Sequence, residues 1–270
     1  MTAPVPARLD VVVPAHDEED LIGASVGALL AARASLRRAA PHVEVGLVVV
    51  LDACSDGSRS VLDALVTDRG RTELAQTDAV GFDAGGFDAG GFDVVEIGAG
   101  NVGAARSAGV TAALRRATTL PDHRRWVATT DADSRVDEDW LAVHLDALDT
   151  GAHVLLGTVR PDFADLTAPD RARWLETHPP GHLPGNVHGA NLGIRLDRYR
   201  ALGGFAALPE HEDVDLVTRA RAARLVVRAT LDSPVVTSGR RVGRTPGGYA
   251  QFLATTYGPP PRGPLVVITT

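Results

Sequence analysis

The chain has 270 residues, 44% hydrophobic and 23% charged, enough for one large domain or two small ones with a substantial core. All 27 basic residues are arginine, which excludes a Schiff-base lysine, a phosphate-loop lysine and a kinase-type lysine. The 34 acids leave a net charge of −7, the opposite of the basic field a general nucleic-acid binder needs, and the single Cys54 excludes an internal disulfide or a cysteine-built zinc cage. Met1 to Arg8 lacks a charged-then-apolar leader pattern, and apolar runs such as Leu47–Leu51 fall far below the roughly 20 residues of a membrane span. A cytoplasmic protein without an integral membrane segment or nucleic-acid partner is expected.

Leu9–Val13 is a short β-branched run ended by Pro14 and reads as a buried strand. Asp17–Asp20 supply first-turn acids for a helix whose apolar positions continue to Leu36. A second apolar strand at Val45–Leu51 leads through a turn at Asp52–Gly57 into a helix from Ser58 to Val66. Two successive βα units with strands too apolar to alternate predict a parallel sheet covered on both faces. Residues 81–93 form a five-residue tandem repeat, GFDAG-GFDAG-GFD, which is expected to be an expanded surface loop. Strand Val94–Ile97, helix Val102–Ala117 and strand Trp126–Thr130 follow, then a strand at His153–Val159, a Pro- and His-rich loop at 178–188 and a helix near 213–224. The expected domain spans 1–240, with 241–270 as a trailing C-terminal extension.

Gly98-Ala99-Gly100-Asn101-Val102-Gly103 matches a dinucleotide fingerprint between a strand and a helix. The acid that should end the next strand about 20 residues on is displaced: Asp131 lies 33 residues from Gly98. An NAD-dependent oxidoreductase is therefore one alternative, and a non-catalytic nucleotide-sugar binding protein is another. Carboxylates also gather where predicted strands end or helices begin: Asp17 to Asp20, Asp52 with Asp56, Asp131 with Asp133, and Glu212, Asp213 and Asp215. In an open α/β sheet such positions converge on one crevice. Helix capping accounts for Asp20 and Asp56, but not for Asp131-Ala132-Asp133, whose carboxylates two residues apart face the same spot in an extended segment. They repel unless a cation or a nucleotide ribose sits between them, and Mg²⁺ bridging phosphate oxygens suits one or two carboxylates.

Six motifs in order carry a resemblance over roughly residues 9–245. They are Val11-Val12-Val13-Pro14-Ala15-His16-Asp17-Glu18, Val50–Ser58 with Asp52 and Asp56, Asn101–Gly109, Thr130-Asp131-Ala132-Asp133, Gly189-Ala190-Asn191 with Gly203-Gly204-Phe205, and Glu212-Asp213-Val214-Asp215-Leu216. The chain resembles a family 2 glycosyltransferase of GT-A fold. The resemblance implies an α/β domain with a mostly parallel central sheet and helices on both faces, and a metal-dependent, inverting transfer of sugar from a nucleotide-sugar donor, UDP-linked by expectation, to an acceptor hydroxyl of open class. It implies a donor pocket of Pro14, Ala15, His16, Glu18, Asp52 and Arg106. Asp131 would lie at the ribose and, with Asp133, hold Mg²⁺ or Mn²⁺. Gly189, Ala190 and Asn191 would lie on the acceptor side. Asp213 would be the general base with Glu212 in reserve.

His16 stands where that family commonly has an aromatic, and Cys54 reads as a small buried hydrophobe. The basic stretch Ser238–Arg244 reads either as a solvated tail or as a reach over a diphosphate. The spacings of His178, His182 and His188 match no strong metal pattern. Oligomeric state is open.

Overall fold

The computed structural model describes residues 5–76, 91–181, 186–244 and 247–257, the side chains of 68–76 excepted. The elements begin with β1 (Ala7–Ala15), α1 (Ile22–Ala39), β2 (Val43–Asp52), α2 (Ser58–Gln76), β3 (Asp93–Ile97), α3 (Val102–Leu114) and β4 (Arg125–Thr129). Next come β5 (Ser134–Arg135), α4 (Trp140–Asp149), β6 (Val154–Leu156), β7 (Val159–Pro161), α5 (Ala168–Thr177), β8 (Leu192–Arg195) and α6 (Leu196–Ala201). The last are α7 (Glu212–Ala222), β9 (Val227–Ala229), β10 (Val235–Thr237) and α8 (Tyr249–Tyr257).

Seven strands form the main sheet in the order β3-β2-β1-β4-β8-β6-β9. β8 runs antiparallel to β4 and β6, and every other neighbouring pair is parallel. The apolar runs of β1 and β2 are explained by burial on both faces. Leu9, Val11, Val13, Val45, Leu47, Val49 and Leu51 face the core under α1, α2 and α4, while Val12, Val48 and Val50 face the core under α3 and α7. Gly109 lets α3 lie flat on the sheet, since a Cβ there would collide with the side chains of Val12 and Val50. Strand order reverses between β1 and β4, which opens a crevice at their carboxyl ends. At the other end of β1, Asp10 is buried between Arg8, 2.8 Å away, and Arg125, 3.3 Å away.

Four sequence expectations change. Asp17–Asp20 do not form the first turn of α1, which contains no acid. They lie in the preceding loop, where the Asp17 carboxylate accepts from the Ser55 amide at 2.6 Å and the Glu19 carboxylate from the Gly57 amide at 2.7 Å. The single strand expected at His153–Val159 is two strands in two sheets. The chain breaks at Gly157, whose amide donates to the Asn191 carbonyl, and β7 then joins β10 and β5 in a three-stranded sheet. The repeat at 81–93 is not wholly a surface loop: Phe92 is 1% exposed within the core, and Asp93 opens β3. Residues 81–90 of it lie outside the described residues. Finally, the stretch after 240 contains α8, whose Leu253 and Tyr257 pack on Trp174 of α5. No helix among the described residues is long and apolar enough to cross a membrane.

Candidate active site

A cavity of about 700 Å³ opens at the carboxyl ends of β1, β2 and β4. From β1 and the loop after it come Pro14, Ala15, His16 and Glu18, and from the end of β2 comes Asp52. The His16 Nδ1 lies 2.7 Å from the Asp52 carbonyl, which joins the two loops. The Asp52 carboxylate accepts from the amides of Ala99, Gly100 and Asn101 at 2.7, 2.8 and 2.7 Å. The glycine-rich fingerprint thus receives an anion, but the anion is the chain's own. Those three amides are already engaged, so the fingerprint does not offer them to a dinucleotide pyrophosphate.

Strain concentrates at this rim. Of the five non-glycine described residues in the left-handed conformation, Asp17, Ala53 and His211, with φ of 53°, 52° and 63°, belong to loops beside the cavity, at a cost that functional sites commonly carry, while Arg224 and Ser233 lie elsewhere in the sequence. Asp17, Cys54 and Asp56 lie close enough together to suggest a cation site. Their donors are turned to loop amides instead: Asp56 accepts from Glu19 and Ser58, and the Cys54 sulfur from Asp17. Burial pushes the Cys54 thiol up, in keeping with a packing role.

Asp131 and Asp133 follow β4 and enter the same cavity. Ser25 of α1 donates to the Asp131 carbonyl at 3.1 Å, and Ser238 donates its amide to the Asp133 carbonyl at 3.1 Å. The Asp133 carboxylate accepts from Ser134 at 3.1 Å and Thr237 at 3.2 Å, both from the small sheet. Burial first, then the charge of Asp131, pushes the Asp133 carboxyl up to about 6 against the pull of Arg240. Arg240 lies 3.0 Å from Asp133 Oδ2 and forks onto Glu18, while Arg244 reaches the Asp17 carbonyl. Arg241 is held by Asp170 of α5. The basic stretch thus turns toward the cavity, where Arg240 and Arg244 lie on the chain's own acids and loop carbonyl.

Arg106 of α3 is buried beneath the cavity and spans two motifs, donating to Asp131 at 2.5 Å and pairing with Glu212. Gly189 makes room for it, because a Cβ there would collide with the guanidinium. Asp215 points elsewhere, holding Arg219 at 2.5 Å. Asp213 lines the cavity with its Oδ1 on the Val214 amide at 2.7 Å, and no described ion pair engages it. Its neighbours Glu212 and Asp215 are each taken up by an arginine.

The cavity therefore brings together Pro14, Ala15, His16, Glu18, Asp52 and Arg106 with Asp131, Asp133, Gly189, Ala190, Glu212 and Asp213. Asn191 is not brought to its surface. It is 3% exposed, donating to the Thr158 and Ser233 carbonyls and accepting from Trp140 Nε1 at 2.9 Å. The histidines separate as well: His178 stacks on Trp174 at 4.2 Å, His188 lines the cavity, and His182 lies outside the described residues. Burial lowers the His188 pKa, partly offset by Asp213 and Asp131. Sequence reasoning missed Thr237, Tyr249 and Phe252. They stand more than a hundred residues beyond Asp133, on short elements without a periodic signature.

No family model matches the chain. No curated protein is similar to it at a significant level. Several solved structures share its fold. Residues 1–349 of TarS from S. aureus are 14% identical, covering 87% of this chain and 61% of that one, with a TM-score of 0.53. Mannosyltransferase PcManGT from Pyrobaculum calidifontis, in complex with GDP-Man and Mn²⁺, is 20% identical, covering 89% and 59%, with a TM-score of 0.58. Glucosyl-3-phosphoglycerate synthase from Mycobacterium tuberculosis, in complex with Mn²⁺, UDP and phosphoglyceric acid, is 14% identical, covering 87% and 72%, with a TM-score of 0.50. The chain spans about three fifths of the length of the first two. The mixed, mostly parallel sheet is thus the GT-A arrangement expected from the sequence.

Proposed function

We propose that the chain is a family 2-type glycosyltransferase that moves a sugar from a nucleoside diphosphate donor to an acceptor hydroxyl with inversion. One observation carries the reading. A half-buried Asp131–Asp133 pair and an arginine-free Asp213 share one cavity at the carboxyl ends of β1, β2 and β4. The neighbours' ligands are consistent with it, since one of those structures contains GDP-Man with Mn²⁺ and another UDP with Mn²⁺.

In this reading Pro14, Ala15, His16 and Glu18 line the nucleotide side. Asp52 fixes the loop that walls it, and Arg106 holds Asp131 toward the ribose. The residues fit a divalent ion: Asp131 and Asp133 both present hard oxygen donors to the cavity, and the charge of Asp131 adds to burial in raising the Asp133 pKa. Mg²⁺ or Mn²⁺ held by Asp133 and Asp131 would neutralise charge on the departing nucleoside diphosphate. Asp213 accepts the proton of the acceptor hydroxyl as that oxygen bonds to the anomeric carbon and the carbon–phosphate-oxygen bond breaks. Glu212, buried on Arg106, positions that arginine rather than taking the proton. Gly189 and Ala190 border the acceptor, with Asn191 bracing them from below. The core catalytic unit is 1–240, and the extension from 241 contributes to the acceptor side.

Asp213→Asn is expected to lower transfer by about 10²–10⁴-fold, while keeping the melting shift given by UDP-glucose or GDP-mannose with Mn²⁺. Undiminished transfer by Asp213→Asn would remove it as the base. Tight NAD(H) binding without nucleotide-sugar binding would favour an oxidoreductase instead.

A further inference from the structure

The half of the cavity beyond Asp213 differs chemically from the half around Asp133. It is walled by α8, which is fixed in two ways: Leu253 and Tyr257 pack on Trp174, and the Glu210 carboxylate accepts the Gly247 amide at 2.7 Å. Two rings of α8, Tyr249 and Phe252, line the cavity with centroids 5.8 Å apart and planes 34° apart. His188 meets Tyr249 edge-on at 6.1 Å and lies close enough to Asp213 to feel its charge, so the rings adjoin that carboxylate. Val214 and Phe252 on this side are 41% and 37% exposed among the described residues.

Charge separates the two halves. The cavity's arginines are all committed: Arg106 to Asp131 and Glu212, Arg240 to Glu18 and Asp133, Arg244 to Glu18 and the Asp17 carbonyl. Glu210 is tied to the start of α8 through the Gly247 amide, Asp213 is engaged by no described ion pair, and each described lining arginine is already paired with an acid. An anionic acceptor would meet these carboxylates with no uncommitted cation to receive it. A sugar ring has hydroxyls for Asp213 and an apolar face for an aromatic shelf.

We propose that α8 forms the acceptor subsite and that its Tyr249–Phe252 shelf selects an uncharged sugar ring over a phosphorylated or carboxylated acceptor. This rests on the glycosyltransferase reading, and it sets the chain apart from the structural neighbour that holds phosphoglyceric acid.

Saturation-transfer NMR on the full chain, with and without UDP and Mn²⁺, tests it. The uncharged probes are methyl glycosides of glucose, mannose and N-acetylglucosamine, and the anionic probes are glycerate 3-phosphate and glucose 6-phosphate. Saturation of at least one methyl glycoside and of neither anion is expected. Octyl glucoside below its micelle concentration is a further arm: saturation of either form supports the proposal, and the stronger one identifies a lipid-borne or a free ring. Phe252→Ala should raise the glycoside half-saturation concentration about fivefold to tenfold, and Phe252→Tyr should restore it. Should Phe252→Ala fail to fold, Val214→Arg on the exposed surface of α7 serves instead and should admit glycerate 3-phosphate. Saturation by the anions alone, by no probe, or without change in Phe252→Ala and Val214→Arg overturns the proposal. Donor-induced melting shifts of the unmodified chain test the transferase reading separately. Donor binding without glycoside binding defeats only the acceptor inference, and glycoside binding without donor binding defeats the transferase.

Discussion

Asp133 is an acid held among acids, and its raised pKa of about 6 has a consequence for stability. A carboxyl whose folded pKa exceeds its unfolded value binds its proton more tightly when folded. Ionising it therefore costs stability progressively between about pH 4 and 6, and the whole cost is present above that. Asp133→Asn is expected to raise the melting temperature at about pH 7.5 by the equivalent of about 1–2 kcal/mol, with the gain gone near pH 4. The same variant should lose the Mn²⁺-dependent part of the donor shift. A lower melting temperature at neutral pH would contradict this account. Asn191 shows the limit of reading single residues from a motif. The family pattern identifies the residue but not its direction, and the amide braces Trp140, Thr158 and Ser233 beneath the cavity. Asn191→Ala should cost about 2–4 kcal/mol in urea unfolding, since it takes the partner from the buried Trp140 indole N–H and from the Ser233 carbonyl, while the Thr158 carbonyl keeps the Val235 amide.

At the scale of elements, β1, β2 and α3 are legible because burial on both sheet faces and close helix packing leave continuous apolar runs and fixed glycines. β5, β7, β9 and β10 span only two or three residues each, too few to carry a period. The antiparallel β8 has no local mark either, because direction is set by its partners and not by its composition. The segment from Ser238 to Arg244 shows why a basic stretch is ambiguous in sequence: its arginines find carboxylates on the loop after β1, the loop after β4 and α5, over two hundred residues away in the first case. Arg240→Ala would leave the buried Glu18 and the half-buried Asp133 without their shared counter-charge, and should lower stability by about 2–4 kcal/mol. Added Mn²⁺ should stabilise this variant more than the unmodified chain by differential scanning fluorimetry, because the ion no longer competes with a tethered guanidinium. An equal or smaller Mn²⁺ effect would count against Asp133 as an ion ligand.

Across the whole molecule, stability and chemistry lie at opposite ends of the same strands. β1 carries the buried Arg8–Asp10–Arg125 cluster near its start and Pro14, Ala15 and His16 at its finish. Asp10→Asn would take the counter-charge from the buried Arg125 and one of two from Arg8, which keeps Glu44, and is expected to cost about 3–5 kcal/mol in chemical denaturation. The melting increment produced by saturating donor should be preserved, since no cavity residue is touched. Loss of that increment would mean that the two ends are coupled through the sheet. The parallel architecture and the crevice were legible because burial pattern and acid placement both follow from strand direction. The wall that α8 adds to the cavity was not, because α8 comes after a long non-periodic stretch and reaches the cavity by docking on α5 and by the Glu210–Gly247 bond.

The Asp52 carboxylate, seated on three consecutive amides, makes the glycine-rich loop a receptor that has swallowed its own ligand. Removing that ligand should create a vacancy of defined shape and sign. Asp52→Gly is therefore expected to be open to chemical rescue: millimolar formate or acetate should recover part of its lost melting temperature, chloride should recover less, and the unmodified chain should respond to none of them.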